Sequence, residues 1–301
     1  VAARESQVVL GLDPDLSALW PGSGAADSRG AEGEALPPAE LAGRAMLEHC
    51  RALIDATAEA CVAVKPQLAR FEVLGAVGRS VLGAVVEHAR AAGLMVIADG
   101  KRGDIDVTAQ AYAASLLGGL DTSYGHIDGL GADLVTVNPL MGLDALEPFV
   151  AAAREIGSGV LVLVRTSNPG AVDVEDLELS GGGAVWERIA ELVDELGRPG
   201  RDDGGLSDVG AVVGATAPGH LARARELMPS APMLLPGVGA QGGRVQELAP
   251  AFLPGRAGGL VSASRSISEA HRLTGGEPAA AARAEAERMR ETAWELSAQV
   301  R

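Results

Sequence analysis

The sequence is poor in aromatic residues, in cysteine and in positive charge, and each shortage excludes something. Phe, Trp and Tyr make up 3 % of 301 residues, so any core must be built from Ala, Val and Leu. There are two cysteines, Cys50 and Cys61. Eleven residues of helix would hold them roughly 16 Å apart, too far for a disulfide, and a reducing compartment fits. The net charge of −15 argues against a nucleic-acid partner and against an anionic membrane surface. A small anionic substrate would need a local basic pocket inside an acidic protein. No apolar run approaches the ~18 residues of a membrane span, and the opening V-A-A-R-E-S-Q lacks the apolar segment of a signal peptide. A soluble, cytoplasmic protein is expected. The five histidines are scattered, with no H-x-x-H or H-x-x-x-H pair and no Cys/His cluster, so no metal site is expected. His49, His88 and His271 are expected on exposed helix or loop. No serine combines a G-x-S-x-G context with a histidine partner, which leaves a hydrolase unsupported.

What the sequence does have is alternation. Short β-branched runs at 8–13, 61–66, 94–99, 133–138, 160–166, 209–215, 233–236 and 259–263 read as strands. Most are continuously apolar, as in parallel strands covered on both faces. Helical patterns lie between and after them at 39–60, 71–92, 107–117, 145–156, 184–196, 218–228, 244–251 and 279–298. Eight β-then-α units favour an α/β fold of the (β/α)8 TIM-barrel type over a doubly wound sheet. The expectation is one TIM-barrel domain over residues 1–301, with Gly/Asp-rich surface insertions near 21–38 and 197–208.

In such a barrel the active site lies at the C-terminal ends of the strands. There stand Asp13, Lys65, Asp99 with Lys101, Asn138, Ser167, Thr216, Gln241 within 237–243, and Arg265. The third strand runs into I-A-D-G-K-R-G-D-I (97–105). Any D-x-K alone is ordinarily an exposed charged loop, here with Asp104 capping the next helix. With Lys65 ending the neighbouring strand, however, the charges can alternate. A lysine held between carboxylates keeps its proton and suits an acid that delivers it to a developing carbanion.

The seventh strand enters P-G-V-G-A-Q-G-G (236–243), which contains G-x-G-x-x-G at Gly237, Gly239 and Gly242. That pattern can be a dinucleotide fingerprint. Its late position and the missing acidic residue after the next strand favour the other use of the geometry, a monophosphate cradle. Barrels of this type often bind phosphate after strands seven and eight, and Arg265 supplies the charge. In R-T-S-N-P-G (165–170), Ser167 and Asn168 alone would be a turn; within the ring of polar strand ends Ser167 becomes a candidate partner for a base or carbonyl.

At this point the residues resemble a known family. D-G-K-R-G-D-I-D-V-T-A-Q-A-Y-A (99–113) is similar to the signature of the orotidine 5'-phosphate decarboxylases, most of all the bacterial subgroup with D-x-K-R-G-D-I. V-N-P-L-M-G (137–142), T-S-N-P-G (166–170), P-G-V-G-A-Q-G-G and S-R-S-I (264–267) resemble further blocks in the family's order. The resemblance implies a cofactor-free enzyme that converts orotidine 5'-monophosphate to uridine 5'-monophosphate and CO2 as a homodimer. Carried over residue by residue, it implies that Asp99 and Lys101 are the carboxylate and catalytic lysine, and that Lys65 links them to the ribose. It implies that Asp104 reaches the partner subunit's active site with Ile105 and Thr108 beside it. Asp13 would contact a ribose hydroxyl and Ser167 the pyrimidine. Gln241 and Arg265 would bind the phosphate, helped by Gly239 and Gly242. Gly100, Asp106–Val107 and Leu140 depart from the subgroup's usual residues, and none of these departures removes a charged catalytic group. The alternatives are a Mg-dependent phosphosugar aldolase or decarboxylase on the same barrel, and a non-catalytic nucleotide-binding protein.

Overall fold

The computed structural model describes residues 1–23, 35–216 and 218–300. Eight parallel strands close into a barrel, and helices pack outside it. In chain order the elements are β1 (Val8–Leu12), α1 (Pro38–Thr57), β2 (Ala63–Pro66), α2 (Leu68–Glu72), α3 (Gly75–Ala91), β3 (Met95–Arg102) and α4 (Asp106–Leu116). Then come the strands of a small antiparallel hairpin, β4 (Leu120–Thr122) and β5 (Gly125–Ile127), followed by β6 (Leu134–Val137), α5 (Leu143–Glu155) and β7 (Gly159–Arg165). The rest are α6 (Val185–Gly197), β8 (Val209–Val213), α7 (Pro218–Leu227), β9 (Met233–Leu235), β10 (Gly259–Ala263), α8 (Arg265–Ser268), α9 (Ala270–Thr274) and α10 (Pro278–Gln299). The barrel runs β1-β2-β3-β6-β7-β8-β9-β10 and closes by pairing β10 with β1.

The strands are apolar on both faces because both faces are covered. Val9, Ile97, Leu161, Val212, Leu234 and Leu260 fill the barrel interior as one cluster. A larger cluster lies between the strands and the helices, and it takes all three phenylalanines, Phe71, Phe149 and Phe252, each fully buried. With so few aromatics, the helices meet the barrel through alanines such as Ala89, Ala109, Ala153, Ala190, Ala224 and Ala286. No described helix is long and apolar enough to cross a membrane.

Several expectations need correction. The helix expected at 244–251 is two 3-10 turns, Val245–Glu247 and Ala249–Phe252. Pro250 has no N–H to give a helix, and the carbonyls of this stretch turn to another donor. That donor is Arg225 of α7, 6 % exposed, whose guanidinium reaches the carbonyls of Met228 (2.9 Å), Ala231 (2.8 Å), Ala251 (2.8 Å) and Gly258 (3.1 Å). The helix expected at 71–92 is broken before Gly75, which stands at φ 62° and separates α2 from α3. His49 is buried on α1, where it accepts the Trp20 N–H at 3.1 Å, and burial pulls its pKa down to about 4. Residues 24–34 of the first insertion lie outside the described residues. The second, near 197–208, is a turn closed by an Arg201–Ser207 bridge and by Arg154 on Asp208.

Burial pushes the Arg225 guanidinium down to about 10. Arg225→Leu strands these carbonyls, and about 3 kcal/mol of unfolding free energy should be lost. Urea denaturation of the two proteins measures it; a change below about 1 kcal/mol would show that the irregular segment holds itself.

Candidate active site

A cavity of about 440 Å³ opens at the C-terminal ends of the barrel strands. Leu163, Val212 and Leu234, inward side chains of β7, β8 and β9, form apolar wall. Polar groups gather at two places around it.

The first is a charge array on β2 and β3. Asp99 is 4 % exposed. Its Oδ2 receives Lys65 Nζ at 2.6 Å and Gln67 Nε2 at 3.3 Å. Its Oδ1 receives Lys101 Nζ at 2.5 Å and Thr136 Oγ1 at 2.9 Å. Burial alone would raise this carboxyl, but the two ammonium groups and their hydrogen bonds outweigh it and hold the pKa at about 2. Burial likewise works against the Lys65 ammonium, and the carboxylates of Asp99 and Asp13 outweigh it, so that group is shifted up. Lys65 is enclosed, whereas the Lys101 side chain is 42 % exposed and faces the cavity. Lys101 stands in the left-handed region, φ 46°. The chain contains no lysine besides these two.

The second place lies on the β7, β9 and β10 side. Ser167 Oγ donates to Gln241 Oε1 at 2.8 Å. Gly237 sits under this pair at φ 98°, and a Cβ there would come within 2.8 Å of Gln241 Oε1, so only glycine fits. The segment after β7 is pinned from behind by the two-pronged Arg165–Asp176 pair and by Thr166 on Glu175. Arg265 lines the cavity, and its guanidinium has no hydrogen-bond or ion-pair partner among the described residues.

The structure therefore brings Asp13, Lys65, Asp99, Lys101, Ser167, Gln241 and Arg265 around one cavity. Among the described residues, nothing hydrogen-bonds Asp13 Oδ1, which is buried there. Gly239 and Gly242 are not on the wall. Their N–H groups are spent inside the loop, on the carbonyls of Gly243 and Gly239 at 2.9 Å each, and their positive φ values of 75° and 91° shape the turn that presents Gly237, Val238, Ala240 and Gln241. Asp104, Ile105 and Thr108 are also outside the cavity of their own chain. Asp104 Oδ1 accepts the Ile105 N–H at 2.8 Å, and Ile105 and Thr108 are exposed at the start of α4. Asn138 turns away to take the Leu140 N–H. The sequence reasoning passed over Gln67 and Thr136, the other two groups on Asp99. Thr136 carried a signal: it is the one hydroxyl in the otherwise apolar strand L-V-T-V.

Removing the anion would leave Lys65 buried with no bonded counter-ion among the described residues. Asp99→Ala is expected to cost about 3–5 kcal/mol in urea unfolding; a loss within 1 kcal/mol would mean that water or a rotated side chain replaces it. Because Asp99 is depressed from about 3.9 to about 2, its contribution is present above the unfolded value and is lost as pH falls through about 2. Because Lys65 is raised, its contribution is present below the usual lysine value and is lost only in strong alkali.

Residues 6–284 match the model of the orotidine 5'-phosphate decarboxylase / HUMPS family. An orotidine 5'-phosphate decarboxylase of Deinococcus radiodurans is 44 % identical over 272 residues, covering 90 % of this chain and 87 % of the relative. One of Rhodopirellula baltica is 44 % identical over 228 residues, covering 76 % and 74 %. The solved Leishmania donovani OMP decarboxylase superposes with a TM-score of 0.69 at 30 % identity, covering 97 % of this chain and 95 % of that one.

Proposed function

The chain belongs to the orotidine 5'-phosphate decarboxylase / HUMPS family, and on that premise we propose that it decarboxylates orotidine 5'-monophosphate to uridine 5'-monophosphate and CO2. One observation carries the reading. The bonded Lys65–Asp99–Lys101 array and Arg265, unpaired among the described residues, face one cavity, so a single ligand can meet proton donor and phosphate anchor together.

The chemistry follows from the charges. The 5'-phosphate docks at Arg265 with Gln241 and the glycine-rich loop, and this remote binding energy is spent on the reacting end. Asp13 and Lys65 hold the ribose. Ser167 meets the pyrimidine. The substrate carboxylate then lies beside Asp99, which the lysines keep ionised. When the C6–carboxylate bond breaks, CO2 leaves and the electron pair stays on C6. Lys101 stabilises that carbanion and passes it a proton, forming the C6–H bond. An ammonium can do this where a guanidinium cannot, because arginine does not give up its proton in proteins. Asp104, Ile105 and Thr108 act at the site of a second copy in a homodimer, in keeping with the exposed apolar residues Ile105, Val107 and Tyr112 on that face. We place the enzyme in the cytoplasm, where a reduced Cys50 and Cys61 would persist.

Orotidine 5'-monophosphate should be consumed in buffer containing EDTA, read as loss of the orotate absorbance. Absence of turnover by folded protein, or turnover only after Mg2+ is returned, would move the assignment to the phosphosugar enzymes. Lys101→Ala should cut kcat at least about 1,000-fold with the fold intact. Arg265→Ala should chiefly raise KM, by about 10- to 100-fold; an unchanged KM would remove the phosphate from Arg265.

A further inference from the structure

We propose that Thr136 is a positioning residue for proton delivery, its hydroxyl fixing both Asp99 and the backbone of Lys101 from the opposite strand. The inference rests on the decarboxylase reading above and deepens it. The register of β3 against β6 is broken. β3 and β6 pair at Ile97 with Leu134 and Ala98 with Val135, and next at Arg102 with Val137. From Ala98 to Arg102 is four steps on β3, while Val135 to Val137 is two on β6, so β3 bulges at Asp99–Gly100–Lys101. Bulges re-aim side chains beside active sites and leave ladder groups unpaired.

Thr136 is the residue on β6 that faces this bulge. It is 1 % exposed. Its Oγ1 accepts the Lys101 N–H at 2.9 Å and donates to Asp99 Oδ1 at 2.9 Å. Asp99 Oδ1 in turn receives Lys101 Nζ at 2.5 Å. The bonds close a ring: Lys101 backbone to Thr136, Thr136 to Asp99, Asp99 to the Lys101 ammonium. Both ends of a long, partly exposed side chain are thereby tied to one buried hydroxyl. The direction of the hydroxyl is fixed as well, because an ionised carboxylate only accepts and an N–H only donates. Threonine is stiff at χ1, so the tie is rigid, and it holds Lys101 at φ 46°, a conformation that residues other than glycine seldom keep.

Valine has threonine's shape without the hydroxyl, and serine keeps the hydroxyl. In Thr136→Val, kcat should fall roughly 100-fold, as for a displacement of about 1 Å at the reacting centre, while KM stays within about threefold. Thr136→Ser should return kcat to within about fivefold of the parent. An independent arm uses the scarcity of lysine. In protein labelled with 15N-lysine the backbone amides of Lys65 and Lys101 are the two signals. In the free Thr136→Val protein, Lys101 should exchange with solvent at least about tenfold faster and Lys65 should be unchanged. Unaltered Lys101 exchange overturns the geometry. Altered exchange with kcat within threefold, with the loss falling on KM, or with no rescue by serine overturns the positioning role. A parent protein that leaves orotidine 5'-monophosphate untouched while Lys101 exchange responds as expected refutes the decarboxylase reading and the role with it, but not the hydrogen bonds. Should Thr136→Val fail to fold, Thr136→Ala against Thr136→Ser makes the same comparisons.

Discussion

The site depends on keeping one carboxylate ionised in the wall of a protein interior. Asp99 is almost wholly enclosed, and an isolated ion there would take up a proton to escape the desolvation cost. It stays charged because two ammonium groups, an amide and a hydroxyl fill its lone pairs. The four partners come from three places in the chain: Lys65 from β2 and Gln67 just after it, Lys101 from β3 itself, Thr136 from β6. A parallel barrel supplies those neighbours side by side, since β2, β3 and β6 are adjacent in the closed sheet. The fold is thus a precondition for the charge state.

The same array explains why the third strand is irregular. A uniform ladder would carry the pairing of β3 with β6 straight on past Ala98. Instead β3 gives up regular pairing between Ala98 and Arg102, and the ladder resumes where Asn138 N–H meets the Arg102 carbonyl at 2.8 Å. Gly100, within the bulge, packs against Leu68, and a Cβ there would lie 2.7 Å from Leu68 Cδ1. The local strain sits next to the chemistry, while β6 keeps unbroken register with β7 from Leu134 to Val137.

How much of this was legible in the sequence depended on what kind of force sets each feature. All eight barrel strands were readable, because burial on both faces demands near-continuous apolar runs, and parallel strands satisfy it. The cavity's charged groups were readable too, because strand ends are where a barrel places function. Features set by long-range hydrogen bonding were not. Nothing local in 244–251 announces that Arg225, from the preceding helix, will claim the carbonyls of that region. Nothing in the spacing of Gly239 and Gly242 says that their N–H groups close their own turn. The hairpin of β4 and β5 escaped because Leu120 and Ile127, its facing pair, are exposed and show no buried face. His49 looked like a polar residue on a helix; the Trp20 N–H that it satisfies comes from a loop 29 residues earlier.

Of 25 Lys and Arg residues only Lys65 and Lys101 are lysines, and both are bonded to Asp99. The structural work of basic groups elsewhere falls to arginine: the fork on Asp176, the carbonyl cage of Arg225, the ion pairs along the helices. Arginine is suited to that, being always charged and geometrically preset for two-pronged contacts. Lysine offers a compact ammonium on a flexible stem, and its proton can leave. A chain of net charge −15 that spends its two lysines on one buried carboxylate places its mobile protons where a carbanion would need one, and keeps its fixed charges for holding the barrel together.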